Sequence, residues 1–186
     1  MGITLLDHDD LLEGLAELVC RAADAGIKGA SVRIVGGAAL RIAYFKRAAT
    51  VDIDARIEPW ADLEPIALAI AKNRGWPRDW LNTNASQFIP HLGKAVVWRT
   101  VQESEAVLVS VAAPDALLAM KLLAVGSRPG RDERDIAQLL AINGITSVDE
   151  AEGLFEAFYP GDAFGERTIK VLTHMFEIGL PEVTGV

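Results

Sequence analysis

The sequence predicts an α+β chain in which a small mixed β-sheet flanked by helices occupies residues 1–112 and a C-terminal helical bundle occupies 113–186. Three observations lead there. Short β-branched runs are interleaved with helical patterns in the first part of the chain. Residues 51–58 alternate apolar and polar with a period of two, and from Pro114 onward only helical spacing recurs. A length of 186 residues suits one sizeable core or two small lobes, with the boundary near residue 113.

Taken in order, residues 8–25 carry Leu11, Leu12, Leu15, Leu18, Val19 and Ala22 at helical spacing. Asp7, Asp9 and Asp10 stand at the start and Gly26 at the end. Ser31–Val35 is a β-branched run that ends at Gly36-Gly37, and 38–46 returns to a helical composition. Val51–Glu58 places Val51, Ile53, Ala55 and Ile57 on one face of a strand and Asp52, Asp54, Arg56 and Glu58 on the other. Pro59 ends that strand, 61–72 reads as a helix, and Gly75-Trp76-Pro77 is a turn. Residues 80–91 read as a loop that wraps the site or covers a sheet edge. Residues 94–100 and 106–112 form a hairpin around Gln102–Glu105. Helices follow at 114–125, 131–142, 147–158 and 164–178, the third opened by a Ser147/Glu150 capping box.

Composition narrows the function classes. With 51% hydrophobic and 24% charged residues the chain resembles ordinary soluble globular proteins. No apolar run reaches the roughly 18–20 residues that span a bilayer, and the first ten residues lack a secretory pattern, so no membrane association and a cytoplasmic location are expected. The net charge of −8 argues against a broad basic surface for nucleic acid. The single cysteine, Cys20, excludes an intrachain disulfide and is expected to be a small core residue. His8, His91 and His174 show no metal-ligand spacing, and the four tryptophans are expected to serve packing.

Chemistry concentrates between residues 36 and 54. Asp52 and Asp54, two apart on a strand, leave the same face with Cα atoms roughly 6–7 Å apart, so both can reach one divalent ion. An alternating strand can equally present its polar face to water. Gly36-Gly37 follows a strand and opens a helix, the setting in which backbone N–H groups and the positive helix end receive a phosphate. A tight turn without ligand has the same sequence. Thr50 stands two residues before Asp52. Lys121 is the only polar side chain between Ala116 and Val125, and its ammonium requires an anion or a route to water.

The order Val35-Gly36-Gly37-Ala38-Ala39-Leu40, then Arg41, then Arg47-Ala48-Ala49-Thr50-Val51-Asp52-Ile53-Asp54, resembles the polymerase-β-like nucleotidyltransferases of the AbiEii toxin group. Lys121 and Arg131-Asp132-Glu133-Arg134-Asp135 look like that group's later lysine and Arg-Asp-x-x-Asp motifs, so the resemblance spans about residues 30–140. It implies the nucleotidyltransferase fold and a Mg²⁺-dependent transfer of a nucleoside monophosphate from an NTP to an acceptor hydroxyl. By the same resemblance Asp52 and Asp54 hold the metal. Gly36, Gly37, Arg47, Thr50, Lys121 and Arg131 contact the nucleotide, and Asp132 or Asp135 orients Lys121 or completes the acidic site, giving a two-sided cleft. The implied acceptor is the 3′ end of tRNA and the implied partner an antitoxin. A small hydroxylated molecule, a protein side chain, or a degenerate non-catalytic regulator are the alternatives. Polymerase relatives often carry a third carboxylate on a later strand, and the expected strands 94–100 and 106–112 contain none.

Overall fold

A computed structural model of the chain describes residues 5–46, 49–125 and 132–183. The elements are α1 (His8–Asp24), β1 (Ala30–Ile34), α2 (Gly36–Ala43), β2 (Ile53–Glu58), α3 (Trp60–Arg74), β3 (Leu81–Asn82), β4 (Trp98–Glu103) and β5 (Val107–Ala112). They are followed by α4 (Pro114–Val125), α5 (Glu133–Asn143), α6 (Val148–Phe158) and α7 (Glu166–Ile178). The protein is α+β. It divides into two compact units, one made of the residues up to Gln87 together with Trp98–Ala112, the other of Phe88–Val97 together with the residues after Ala112. The segment 88–97, which the sequence pattern places within 1–112, thus groups with the helical unit.

In the first unit the described strands form one sheet of order β3-β2-β1-β5-β4. β1 pairs antiparallel with β2 and parallel with β5, β3 runs parallel to β2, and β4 and β5 form the hairpin. The mixed pairing follows from the connections: the tight turn after β4 allows only an antiparallel return, while β1 and β5 are separated by enough chain for a crossover. Ala30, Val32 and Ile34 of β1, Ile53, Ala55 and Ile57 of β2, and Val107, Val109 and Val111 of β5 are buried, the alternation of a sheet with a core face. α2 packs on β2 and β5, and α1 packs on α2, α3 and β5. The apolar stripe of α1, Leu11, Leu15, Leu18 and Ala22, is fully buried. Its start is held by a reciprocal pair, Asp10 N–H to Asp7 (2.9 Å) and Asp7 N–H to Asp10 (3.0 Å).

Three expectations need correction here. Cys20 is exposed, because the stripe through Leu11, Leu15, Leu18 and Ala22 leaves it on the outer side of α1. The hairpin lies further along than expected: β4 starts at Trp98, since Lys94 instead donates its backbone N–H to Ala157 (2.6 Å) and its ammonium to Asp115 (2.8 Å), both in the helical unit. The paired aspartates do not share one strand, because β2 begins at Ile53; Thr50 forms an isolated bridge with Leu6 and the chain bends at Val51.

α3 is tied to α1 by Arg74, whose guanidinium donates to Glu17 (2.7 Å) and Glu13 (3.0 Å) and lies 4.9 Å from the centre of the Trp76 ring. Hydrogen bonding to Arg74, reinforced by its charge, holds the Glu17 carboxyl below its ordinary range. A carboxyl with a depressed folded-state value adds stability that is fully present above the unfolded value of about 4.3 and is lost as pH falls through the folded value. Arg74→Ala is expected to cost about 1 kcal/mol at neutral pH, as befits a partly exposed pair. Melting curves of both proteins down to about pH 3 should show the difference shrinking with acidification; a constant difference would mean that Arg74 acts through packing alone.

The second unit contains α4, α5, α6 and α7. α4 is apolar on most sides, with Ala116, Leu117, Leu118, Ala119, Leu122 and Val125 buried, and it packs against α5, α6 and α7. A helix surrounded in this way has no room for an unpaired charge, which bears directly on Lys121. At the start of α6 the Ser147 hydroxyl accepts from Glu150 N–H (3.2 Å), but the Glu150 carboxylate reaches back to Thr146 N–H (2.7 Å), one residue before the capping-box target. The Tyr159 hydroxyl donates to Phe88 O (2.6 Å), anchoring the start of the 88–97 segment.

Candidate functional site

The buried run of β1 delivers the chain to Val35, whose N–H donates to Asp54 O (2.9 Å). The next residue, Gly36, has φ +66°, a conformation that side chains other than glycine disfavour, and α2 starts there, two residues earlier than the sequence pattern suggests. A Cβ at Gly36 would stand 3.4 Å from Asp54 Oδ2, so the turn and the carboxylate are immediate neighbours. The N-cap residue of α2, Val35, has no side chain that can cap the helix. The positive end of the helix favours an anion at this place, and Asp54 supplies one.

Asp52 lies one residue before β2, half-buried, and is reached from two sides. Thr50 Oγ1 donates to the Asp52 backbone carbonyl (3.2 Å), which makes Thr50 a brace for the bend rather than a same-face strand neighbour. Asn82 Nδ2 donates to Asp52 Oδ2 (3.3 Å) and to Asp79 O (3.2 Å), while Asn82 Oδ1 accepts from Asn84 N–H (2.9 Å). Asn82 belongs to β3, whose register puts it opposite Asp54. The segment 80–91, expected as a loop or an edge cover, therefore supplies a two-residue edge strand beside the acidic residues. Sequence patterning missed Asn82 because two residues carry no periodicity. The one available signal was an amide just past the buried pair Trp80-Leu81.

The observed bounds of β4 do bring an acid into a strand. β4 extends to Glu103, but Glu103 pairs with Leu108, which pairs with Ser31 at the start of β1, the opposite end of the sheet from Ile34 and its partner Ala55. The residue facing Asp54 on the neighbouring strand is the amide Asn82.

In the helical unit the Lys121 ammonium donates to both Asp132 and Asp135, the latter at 3.0 Å. The side chains of Lys121 and Asp132 are each 13% exposed and that of Asp135 is 5% exposed. Snorkelling to solvent does not occur; the charge is met by two carboxylates from the next helix and its approach. Both aspartates accept from Lys121. Arg47 and Arg131 lie outside the described residues.

Comparison of the chain with protein-family models, curated proteins and solved structures gives no match.

Of the remaining polar and aromatic side chains, His8 donates from Nδ1 to Arg41 O (3.1 Å), a structural contact between α1 and α2. Trp76 and Trp80 pack edge to face with ring centres 5.2 Å apart, and Trp98 lies 5.7 Å from the Arg33 guanidinium. Among the described residues no group of three or more His, Cys, Asp or Glu side chains converges as a metal site. Two carboxylates with oxygen-only chemistry fit Mg²⁺, which binds through one or two carboxylates and takes its other ligands from water and substrate phosphates.

Proposed function

We propose that the first unit binds a nucleoside triphosphate with Mg²⁺ and that the protein transfers the nucleoside monophosphate to an acceptor hydroxyl. The observation that supports this best is the closeness of the Gly36 turn, at the start of α2, to Asp54, together with Asp52 just upstream. Asp52 and Asp54 hold the ion, and the backbone N–H groups at Gly36 and Gly37 receive phosphate oxygens. The bound ion supplies charge neutralisation for the triphosphate. The hydroxyl oxygen forms a bond to the α-phosphorus as the bond to the α–β bridging oxygen breaks, pyrophosphate leaves, and the hydroxyl proton passes to water. A nucleotidyltransferase of the AbiEii type, acting on the 3′ end of tRNA and restrained by an antitoxin, is the specific form that the motif resemblance favours. That an amide, Asn82, and not an acid is in register with Asp54 on β3 favours the second reading, a nucleotide-binding regulator without transferase activity.

Incubation with Mg²⁺, each labelled NTP and either total RNA or total protein separates these readings. Label in small RNA, absent with Asp52→Ala, is the expected result. Label in protein would move the acceptor, and no label with any NTP and either acceptor would exclude a transferase acting on RNA or protein. Growth arrest on expression in a bacterial host, relieved by Asp52→Ala, is expected of a toxin; harmless expression would exclude that role.

A further inference from the structure

We propose that the hollow between α3 and β3 is a second binding site and that it takes a free α-amino acid with an apolar side chain. None of Gly36, Asp52 and Asp54 lines this hollow, so the proposal goes beyond the nucleotide reading and does not depend on it.

The crossover from β2 through α3 to β3 creates the hollow. Trp60, Glu64, Ala67 and Leu68 recur at helical spacing along α3, and the other wall is the chain that leaves the turn at Arg78-Asp79, forms β3 and continues to Asn84. β3 stands last in the sheet order, so no described strand covers its outer side. The hollow holds about 260 Å³, just under the roughly 300–1,000 Å³ of ordinary small-molecule pockets, which suits an amino acid and is small for a nucleoside triphosphate. Its floor is apolar: Ala67 and Leu81 are buried, and Leu68 and Trp60 are half-buried. Charges of both signs surround that floor, with Glu64 on α3 and Arg78 and Asp79 on the turn, all three exposed. Among the described residues none of these three side chains has an ion-pair or hydrogen-bond partner. The Asn82 amide is already engaged, its nitrogen with Asp52 and Asp79 O and its oxygen with Asn84 N–H, so the rim charges select the ligand. A guanidinium and two carboxylates around an apolar floor match a zwitterion. Arg78 meets the α-carboxylate through two N–H donors, Glu64 and Asp79 meet the α-ammonium, and the apolar side chain covers Ala67, Leu68 and Leu81. A nucleobase would use Trp60 and leave both signs of charge without a partner, while an inorganic ion would leave the apolar floor wet.

L-leucine is the main probe, with L-methionine and L-phenylalanine beside it, titrated calorimetrically into the full-length protein. Leucinamide, which lacks the carboxylate, N-acetyl-L-leucine, which lacks the ammonium, and adenine are the controls. Wild type is expected to bind at least one of the three amino acids; for L-leucine the affinity should exceed that for either derivative by about tenfold or more, the worth of a hydrogen bond to a charged group. Arg78→Gln should abolish the preference for L-leucine over leucinamide. Glu64→Gln combined with Asp79→Asn should abolish the preference over N-acetyl-L-leucine. All three substituted side chains are exposed, so the variants keep the fold, and a merely structural role would not move these two preferences separately. No binding of any of the three amino acids up to about 10 mM, a limit of roughly 3 kcal/mol of affinity, would overturn the proposal. So would adenine binding more tightly than all three, which would assign the hollow to a nucleobase. Amino-acid binding that is unchanged in both variants would overturn the placement of the site between α3 and β3.

Discussion

Lys121→Met is expected to lower the unfolding free energy by about 3–5 kcal/mol, the usual consequence of removing one partner from a buried ionic cluster. The methionine fills much of the lysine's volume and suits an otherwise apolar helix, so the loss does not come from a cavity. It comes from Asp132 and Asp135, two acids in a poorly hydrated place that lose the ammonium between them. The same reasoning predicts a rescue. Lys121→Met combined with Asp132→Asn and Asp135→Asn removes all three charges and should recover most of the stability, because the destabilisation belongs to the two acids that have lost the ammonium and not to the absent lysine. Chemical denaturation of wild type, the single variant and the triple variant measures both steps. A single variant within about 1 kcal/mol of wild type would mean that the cluster is well hydrated. This matters for function as well. A Lys121 variant without transferase activity does not by itself identify a phosphate ligand, since two of the three ammonium donors are committed to Asp132 and Asp135 and the variant is destabilised. Activity compared between wild type and the refolded triple variant separates lost charge from lost fold.

The parts of the molecule that could be read from sequence are those set by neighbours along the chain. α4 matches its expected bounds because Pro114 opens it and an unbroken apolar run extends it to Val125. The β1–glycine turn–α2 unit was legible for the same reason: a β-branched run, a residue that tolerates positive φ, and a helical composition follow one another directly. What was not legible depends on partners distant in sequence. β3 is a strand only because β2 offers it an edge, and Asn82 matters only because that pairing brings it to Asp52, thirty residues upstream. Residues 94–97 have strand composition but are claimed by contacts to Ala157 and Asp115. Cys20 looked like core because its neighbours are apolar, yet a helix buries a stripe, and the stripe is fixed by what α1 packs against. At the candidate site the residue types were visible, while the relation between them, Gly36 against Asp54 and Asn82 on Asp52, required the fold.

Trp80→Ala is expected to cost about 3–5 kcal/mol, the range for deleting a large aromatic side chain from a packed core. Trp80 is 0% exposed and links several elements at once. Its indole N–H donates to Ala67 O of α3 (3.0 Å), its ring packs edge to face on Trp76, and α1 approaches both rings at Gly14, where even a Cβ would come within 3.0 Å of the Trp80 ring. Its backbone carbonyl accepts from Ile53 N–H, the first residue of β2. The side chain thus clamps the chain between α1 and α3 just before β3 begins, and β3 carries Asn82. Trp80→Phe retains the ring contact but deletes the indole N–H, leaving Ala67 O without that donor, and should cost less than the alanine variant. Denaturant unfolding gives the stability order, and a titration with Mn²⁺, followed as loss of the free-ion paramagnetic signal, tests the proposed cation site at Asp52 and Asp54. If the clamp sets the position of Asn82, Trp80→Ala weakens Mn²⁺ binding at temperatures where the protein is still folded, and Trp80→Phe does so less. Folded Trp80→Ala with wild-type Mn²⁺ affinity would show that pairing with β2 alone is enough to hold Asn82 against Asp52.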